Sequence, residues 1–60
     1  MNTLKQYQNE NGIVMFIDDR VKFKTVVSYT DTSGAMIDND DERALTFFHN
    51  GPYLVMEINN

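Results

Sequence analysis

The sequence predicts a small α+β domain: a three- or four-stranded, mainly antiparallel sheet with one short helix, at about residues 39–49, before the last strand. Two apolar or alternating segments, 13–17 and 21–30, have the periodicity of strands, and a capped amphipathic segment precedes a further apolar run at 53–58. The alternative that the pattern leaves open is an all-β small barrel. We expect a single domain, residues 1–60, because a chain of this length is near the lower limit for independent folding.

The first two strands are indicated by different patterns. Residues 13–17 are apolar throughout and rich in β-branched side chains, which is typical of a strand buried on both faces. Residues 21–30 alternate as a half-buried strand does. Its apolar face would carry Val21, Phe23, Val27 and Tyr29. The intervening Asp18-Asp19-Arg20 leaves room only for a tight hairpin.

The N-terminal segment has two interpretations. Asn11-Gly12 favours a type I′ hairpin, because both central positions of that turn need positive φ. It would pair a strand at about residues 4–10 with residues 13–17. A short helix that begins at Thr3 and ends in a left-handed cap at Asn11-Gly12 is the competitor. Since such a helix would contain few apolar residues, the strand is preferred.

The helix is predicted from its ends. Asn39 would be the N-cap and Glu42 its capping-box partner, while His49 complements the dipole of the last turn. Asn50-Gly51-Pro52 would then stop it. An apolar stripe would face the sheet: Ala44, Leu45, Phe47 and Phe48. The alternative is a strand at 43–48, because Thr and Phe favour β structure.

One short helix can cover only one face of a sheet whose strands are apolar on both faces. If it covers the face of Ile13, Met15 and Ile17, the other face keeps a set of apolar residues: Val14 and Phe16, with Tyr53 and Val55, or with Leu54 and Met56. This set exceeds the apolar patch that a monomer usually exposes. We therefore expect a second copy of the chain, as a homodimer, or a partner protein to cover this face.

The acidic residues form a cluster. Asp38, Asp40, Asp41 and Glu42 together equal the whole formal net charge of −4. Helix capping is the ordinary explanation, and the functional one is an acidic patch, extended by Asp18 and Asp19, that imitates nucleic-acid phosphates and binds a basic partner. Direct nucleic-acid binding is disfavoured, because it depends on clustered Lys and Arg, and only Arg20, Lys22 and Lys24 cluster here.

The motifs of catalysis and metal binding are weak. The acidic segment lacks the glycine and the terminal glutamate of a calcium loop, and the chain has no cysteine. His49 has no serine or aspartate in a triad-like pattern and is better explained as a cation at the helix end. We expect no enzyme activity, no cofactor and no metal. No residue run is long and apolar enough to cross a bilayer.

The sequence therefore predicts a small acidic protein-binding module that inhibits or modulates a partner, plausibly a basic nucleic-acid-binding protein. By analogy of size and charge alone, it is similar in kind to bacteriophage or mobile-element proteins that block host nucleases, repair enzymes or transcription factors, here as a nucleic-acid mimic against a DNA-binding host protein. The alternative is a structural or assembly subunit that docks through its apolar face. Absence of cysteine favours a reducing compartment, the cytoplasm, or the host cytoplasm if the chain is phage-encoded.

Overall fold

The computed structural model describes residues 3–21 and 25–59, which form an open five-stranded antiparallel sheet with a short helical segment before the last strand. The strands are β1 (Thr3–Gln8), β2 (Val14–Asp18), β3 (Val26–Thr30), β4 (Met36–Ile37) and β5 (Tyr53–Asn59). The helical segment consists of α1 (Glu42–Leu45) and a 3₁₀ helix (Phe47–Asn50). The order across the sheet is β4-β3-β2-β1-β5. None of the helices in the described ranges is long and apolar enough to span a membrane.

This architecture confirms the α+β class, the N-terminal strand and the helical segment before the last strand, and the sheet does not close into a barrel. It has five strands where three or four were predicted, partly because β4 has only two residues and is too short to show a period. A hairpin turn joins β3 to β4, with the Gly34 amide donating to the Asp31 carbonyl. Asp31-Thr32-Ser33-Gly34 has residues typical of a turn, whereas the two-residue strand after it has no recognisable pattern.

The β1–β2 hairpin exists, but its turn lies one residue earlier than predicted. The Gly12 amide donates to the Asn9 carbonyl at 3.0 Å, so Glu10 and Asn11 are the central residues of the turn. Gly12 follows with a φ of 81°, the left-handed position after the turn that glycine adopts without strain. The Asn9 side chain holds this register, because its Oδ1 accepts the amides of Asn11 and Ile13, both at 3.0 Å.

The predicted tight hairpin at Asp18-Asp19-Arg20 is wrong. Asp18 is the Cα partner of Val26, so residues 19–25 connect the two strands. β3 therefore begins at Val26, whereas residue 21 was predicted, and Val21 is exposed. The physical reason is that Asp19 continues alongside β1, where its amide donates to the Thr3 carbonyl at 3.0 Å. The predicted roles of Lys22, Phe23 and Lys24 fall outside the described residues.

The helical segment is shorter than predicted and starts later. Asp41, not Asn39, is the N-cap, and its side chain accepts the Arg43 amide. The α-helix ends at Leu45, and Thr46, whose hydroxyl bonds back to the Glu42 carbonyl at 2.8 Å, separates it from the 3₁₀ helix. The predicted stop at Gly51 is confirmed, with a left-handed φ of 61°.

The predicted apolar stripe is divided by this break. Ala44 and Phe47, three residues apart, are buried, whereas Leu45 and Phe48 are 66% and 63% exposed. A short α-turn followed by a 3₁₀ turn brings residues i and i+3 to the same side and turns their C-terminal neighbours outward.

The core lies on one face of the sheet. Phe47 is fully buried against Ile13 and Met15. Partly buried residues surround them: Tyr7, Ile17, Val27, Tyr29 and Ile37. The Phe47 ring meets Tyr29 edge to face, with 5.7 Å between ring centroids. The helical segment thus stabilises one face of the sheet and leaves the other without cover from any described element.

Candidate functional site: the outer face and the edge strand

The uncovered face, which we call the outer face, is defined by strand register, because Cα partners in antiparallel strands point their side chains to the same side. Tyr7 is the partner of the core residue Met15, so the alternate residues of β1 belong to the outer face. Three rows of partners cross it. They are Asp18, Leu4 and Ile58; Phe16, Gln6 and Met56; and Val14, Gln8 and Tyr53.

The outer face is mainly apolar. Its apolar members are Leu4, Val14, Phe16, Val26, Met36, Tyr53, Met56 and Ile58. Leu4, Val14 and Phe16 are shielded only in part, by their neighbours in the sheet. All five strands belong to the sheet itself, and the helical segment contributes to the core on the opposite side. An apolar area of this kind is typical of an interaction surface.

Strand β5 is the most exposed part of this surface. Each of its seven residues is exposed, because it is an edge strand with β1 as its neighbour and the core lies over the middle of the sheet. The described residues expose ten large hydrophobic side chains, and β5 carries five of them. They are Tyr53, Leu54, Val55, Met56 and Ile58, between 42% and 54% exposed. The apolar character of β5 therefore faces solvent.

A β-bulge decides which β5 residues share the outer face. Gln6 is the partner of Met56 but Tyr7 is the partner of Leu54, so Val55 is the extra residue. Of the predicted apolar site, the structure brings Val14, Phe16 and Tyr53 together on the outer face and places Val55 at the bulge. Met56 and Ile58 join the outer face, while Leu54 turns to the side of Tyr7.

The predicted apolar site lacked five apolar residues of this surface, Leu4, Val26, Met36, Met56 and Ile58. Strict alternation along residues 53–58 assigns Tyr53 and Met56 to opposite faces. The bulge breaks that alternation, and no residue type in β5 predicts a bulge. Leu4 could have been identified, because the predicted N-terminal strand places it beside the apolar run of β2.

The predicted acidic patch is only partly available for binding. Asp38, Asp40 and Glu42 are exposed. Asp41 is engaged, since its carboxylate accepts the Arg43 amide at 2.9 Å and two guanidinium nitrogens at 3.0 Å. These hydrogen bonds lower the pKa of Asp41 from 3.8 to about 2. Arg43 also lies 3.9 Å from Asp31, so one cation offsets two carboxylates at the helix start.

Asp18 and Asp19 do not extend this patch. The helix start is held beside Asp31, which follows Thr30, the β3 partner of Val14. Asp18 lies at the other end of β2, about 13 Å from Val14 along the strand. Arg20 binds the Asp18 carboxylate through two nitrogens, both at 2.9 Å, and lowers its pKa. Asp19 accepts the Thr3 amide and hydroxyl, which lower its pKa as well. Both carboxylates thus serve the local structure.

A cleft of about 240 Å³ lies where the two hairpin turns meet the helix start, with Asn9, Asp31 and Arg43 among its walls. It is smaller than the usual range for ligand pockets, about 300–1,000 Å³. Its polar groups bind one another, since Asn9 accepts two backbone amides and Asp31 faces Arg43. Within residues 3–21 and 25–59, no group of three or more His, Cys, Asp or Glu side chains is placed to hold a metal ion.

No protein-family model matches the chain, and no significant similarity connects it to a curated protein or to a solved structure. Geometry and chemistry are therefore the basis for the function proposed below.

Proposed function

We propose that this chain is a protein-binding module whose principal contact surface is the outer face of the sheet. The observation that supports the proposal is the one-sided core: Phe47 covers one face, while Phe16, Met56 and Ile58 lie on the other with no described element over them. Apolar and aromatic side chains at the centre of a patch are the usual anchors of protein interfaces.

The partner that fits is a protein with a complementary apolar surface. Phe16 lies in the middle row of the outer face, with exposed Met56 on the far side of Gln6 and Asp18 at one end of β2. A mixture of apolar side chains with polar ones that can form hydrogen bonds is common in interfaces. A small module of this kind would inhibit or modulate its partner by covering part of the partner's surface. Alternatively, it would be a structural subunit of a larger assembly.

Site-specific photo-crosslinking tests the proposal. A photoreactive phenylalanine analogue at Phe16 samples the outer face, and the same analogue at Leu45 samples an exposed apolar position on the helix as a matched control. In extract of the cells that make the protein, we expect one dominant adduct from position 16 and none from position 45. Unlabelled wild-type chain should compete the adduct away.

Equal labelling from the two positions would contradict the proposal. It would mean that any exposed apolar side chain is crosslinked, whether or not it lies on the outer face. Adduct mass separates a partner from a second copy of the chain, which adds 7.0 kDa.

A second candidate function is binding to a basic partner through Asp38, Asp40 and Glu42. It is favoured by their exposure on one short segment and by the absence of an ion pair to any of them among the described residues. Placing the crosslinker at Asn39 tests it. An adduct from position 39 that disappears as salt is raised would support this candidate, because salt screens exposed charges.

A further inference from the structure

The outer face has a regular pattern, because each strand contributes one line of side chains to it. β1 contributes Gln6 and Gln8, with Leu4 at one end of the line. The two strands that flank β1 contribute mainly apolar residues, which are Val14 and Phe16 on β2, and Tyr53, Met56 and Ile58 on β5. Beyond β2, β3 contributes polar Ser28 and Thr30. A strand with two glutamines therefore lies between two apolar ones.

The outer face carries almost no charge. Of the described strand residues on this face, Asp18 alone is charged, and Arg20 binds its carboxylate through two nitrogens at 2.9 Å. A strongly charged partner would therefore gain little here. The surface that fits is itself apolar, uncharged and supplied with side-chain amides, and the outer face of another copy of this chain has these properties.

We propose that the protein covering the outer face is a second copy of the chain, packed face to face about a two-fold axis that lies above β1 and nearly parallel to it. This inference rests on the proposed function, because it names the partner of the same surface. Since β1 lies between β2 and β5, the axis sets β1 over β1 and each β2 over β5 of the other copy. The two sheets would stack about 10 Å apart, as in a β-sandwich.

This axis brings side chains of like character together. Phe16 lies over Met56 of the second copy, and contacts between sulfur and an aromatic ring are favourable. Val14 lies over Tyr53 of the second copy. Gln6 lies over its own symmetry mate, and two amides can bond to each other because each has both donors and acceptors. The face is therefore complementary to itself in both its apolar and its polar lines.

An axis above β2 fits less well. It would set Asp18 over Asp18 of the second copy, and the juxtaposition of like charges is unfavourable. It would also lay β5 over β4, which has only two residues and would leave Met56 and Ile58 uncovered. With the axis above β1, the backbones at the two Asp18 positions lie about 14 Å apart, and Ser28 is at the margin of the contact.

The net charge of −4 on each copy weakens this dimer without preventing it. The segment with Asp38, Asp40 and Glu42 begins at the end of β4, three strands from the axis. The two copies of this segment therefore start about 29 Å apart, a distance over which repulsion is largely screened at 0.15 M salt. Three strands per copy form a smaller contact than a standard interface, so we expect association in the micromolar range.

The experiment compares Gln6→Lys with Ser28→Lys by sedimentation equilibrium. Both residues are half-buried Cα partners of Phe16, one on each side of it. Contact with a surface centred on Phe16 would therefore be disturbed equally by the two variants. In the proposed dimer, two lysines at position 6 point at each other across the axis, whereas two lysines at position 28 are about 19 Å apart and screened from each other.

We expect Gln6→Lys to weaken dimerisation at least about tenfold and Ser28→Lys to change it less than about threefold. An equal mixture of Gln6→Lys and Gln6→Glu should restore a dimer, now made of unlike chains, which also shows that both variants are folded. The photoreactive phenylalanine analogue at position 16 supplies an independent measurement. In the purified chain it should give an adduct of two copies, attached at Met56.

The proposal is overturned if the two lysine variants weaken the dimer equally, or if the mixture of opposite charges does not restore one. It is also overturned if the wild-type chain stays at 7.0 kDa up to millimolar concentration. A monomer that still gives an adduct with another protein from position 16 overturns the second copy and leaves the outer face as a contact surface. A monomer without that adduct overturns the proposed function as well.

Discussion

Asn9 joins the β1–β2 turn to the 3₁₀ helix through one buried side chain. It is 3% exposed, its Oδ1 accepts two backbone amides, and its Nδ2 donates to the Phe47 carbonyl at 3.2 Å. The bonds to the Ile13 amide and the Phe47 carbonyl are buried, so this side chain contributes more to stability than an exposed asparagine does.

We predict that Asn9→Ala lowers the free energy of unfolding by about 2 kcal/mol, since it leaves buried backbone groups without partners. Chemical denaturation followed by circular dichroism would measure this. Asn11→Ala, in the same turn but exposed, is the matched control and should change stability by less than about 0.5 kcal/mol. Equal effects would mean that the turn, and not the buried contacts, matters.

Asp41 makes the stability of the fold depend on pH. Its pKa falls from 3.8 to about 2 in the folded chain, mainly because Arg43 donates to its side chain. A carboxylate with a lowered pKa stabilises the fold where it is ionised, so its contribution is complete above about pH 4 and is lost as pH falls towards 2. The lowered pKa values of Asp18, Asp19 and Asp31 act in the same direction.

Accordingly, we expect the melting temperature to fall between pH 4 and pH 2, and Asp41→Asn to make this fall smaller. Asparagine is itself a good N-cap, so the variant tests the charge without removing the cap. Asp38→Asn, at an exposed position, should retain the wild-type acid dependence. An Asp41→Asn profile parallel to that of the wild type would contradict the assigned role of the Arg43 contact.

At the scale of elements, the helical segment is held by one aromatic side chain. Phe47 is fully buried, while its neighbour Phe48 is 63% exposed and meets Phe47 edge to face. Because α1 and the 3₁₀ helix have four residues each, they are far too short to be stable in isolation. Packing of Phe47 against the sheet therefore decides whether this segment is helical.

Replacing the two phenylalanines separately measures that dependence. Phe47→Ala should cost about 3–5 kcal/mol, comparable with the whole stability of a domain this small, so we expect mostly unfolded protein at 25 °C. Phe48→Ala should cost less than about 1 kcal/mol, because the side chain is already in water. Near-ultraviolet circular dichroism and thermal melting would distinguish them. A folded Phe47→Ala chain would show that the core lies elsewhere.

The edge strand β5 has a neighbouring strand on one side only. Residues 53–59 have strong β propensity, but pairing with β1 satisfies the backbone groups on only one side of the strand. At the opposite edge β4 has two residues and leaves fewer backbone groups without a neighbouring strand. The length of β5, more than its composition, makes it a candidate for binding another strand.

At the scale of the whole molecule, net charge opposes self-association and favours a basic partner. Each chain carries a formal charge of −4, so two copies repel. We predict that binding of a basic protein through Asp38, Asp40 and Glu42 weakens as salt is raised from 0.05 to 0.5 M, because salt screens the attraction between exposed charges. Photo-crosslinking from position 39 at the two salt concentrations measures this effect. Labelling that does not change with salt would contradict it.

The sequence alone predicted the α+β class in preference to a barrel, a helical segment that covers one face of the sheet, and an apolar face left without cover. These follow from periodicity and from the length of the helix, which are local properties. Val14 and Phe16 could be assigned to that face because the alternation of β2 is regular.

Other features were decided only by tertiary contacts. The buried side chain of Asn9 set the β1–β2 turn, the Asp19–Thr3 contact extended the β2–β3 connection, and Arg43 drew Asp31 and Asp41 together from different elements. The bulge at Val55 then moved Met56 to the face of Tyr53. Each depends on which residues meet across the sheet, and that information lies in the register between segments distant in sequence, which no local pattern of residue types contains.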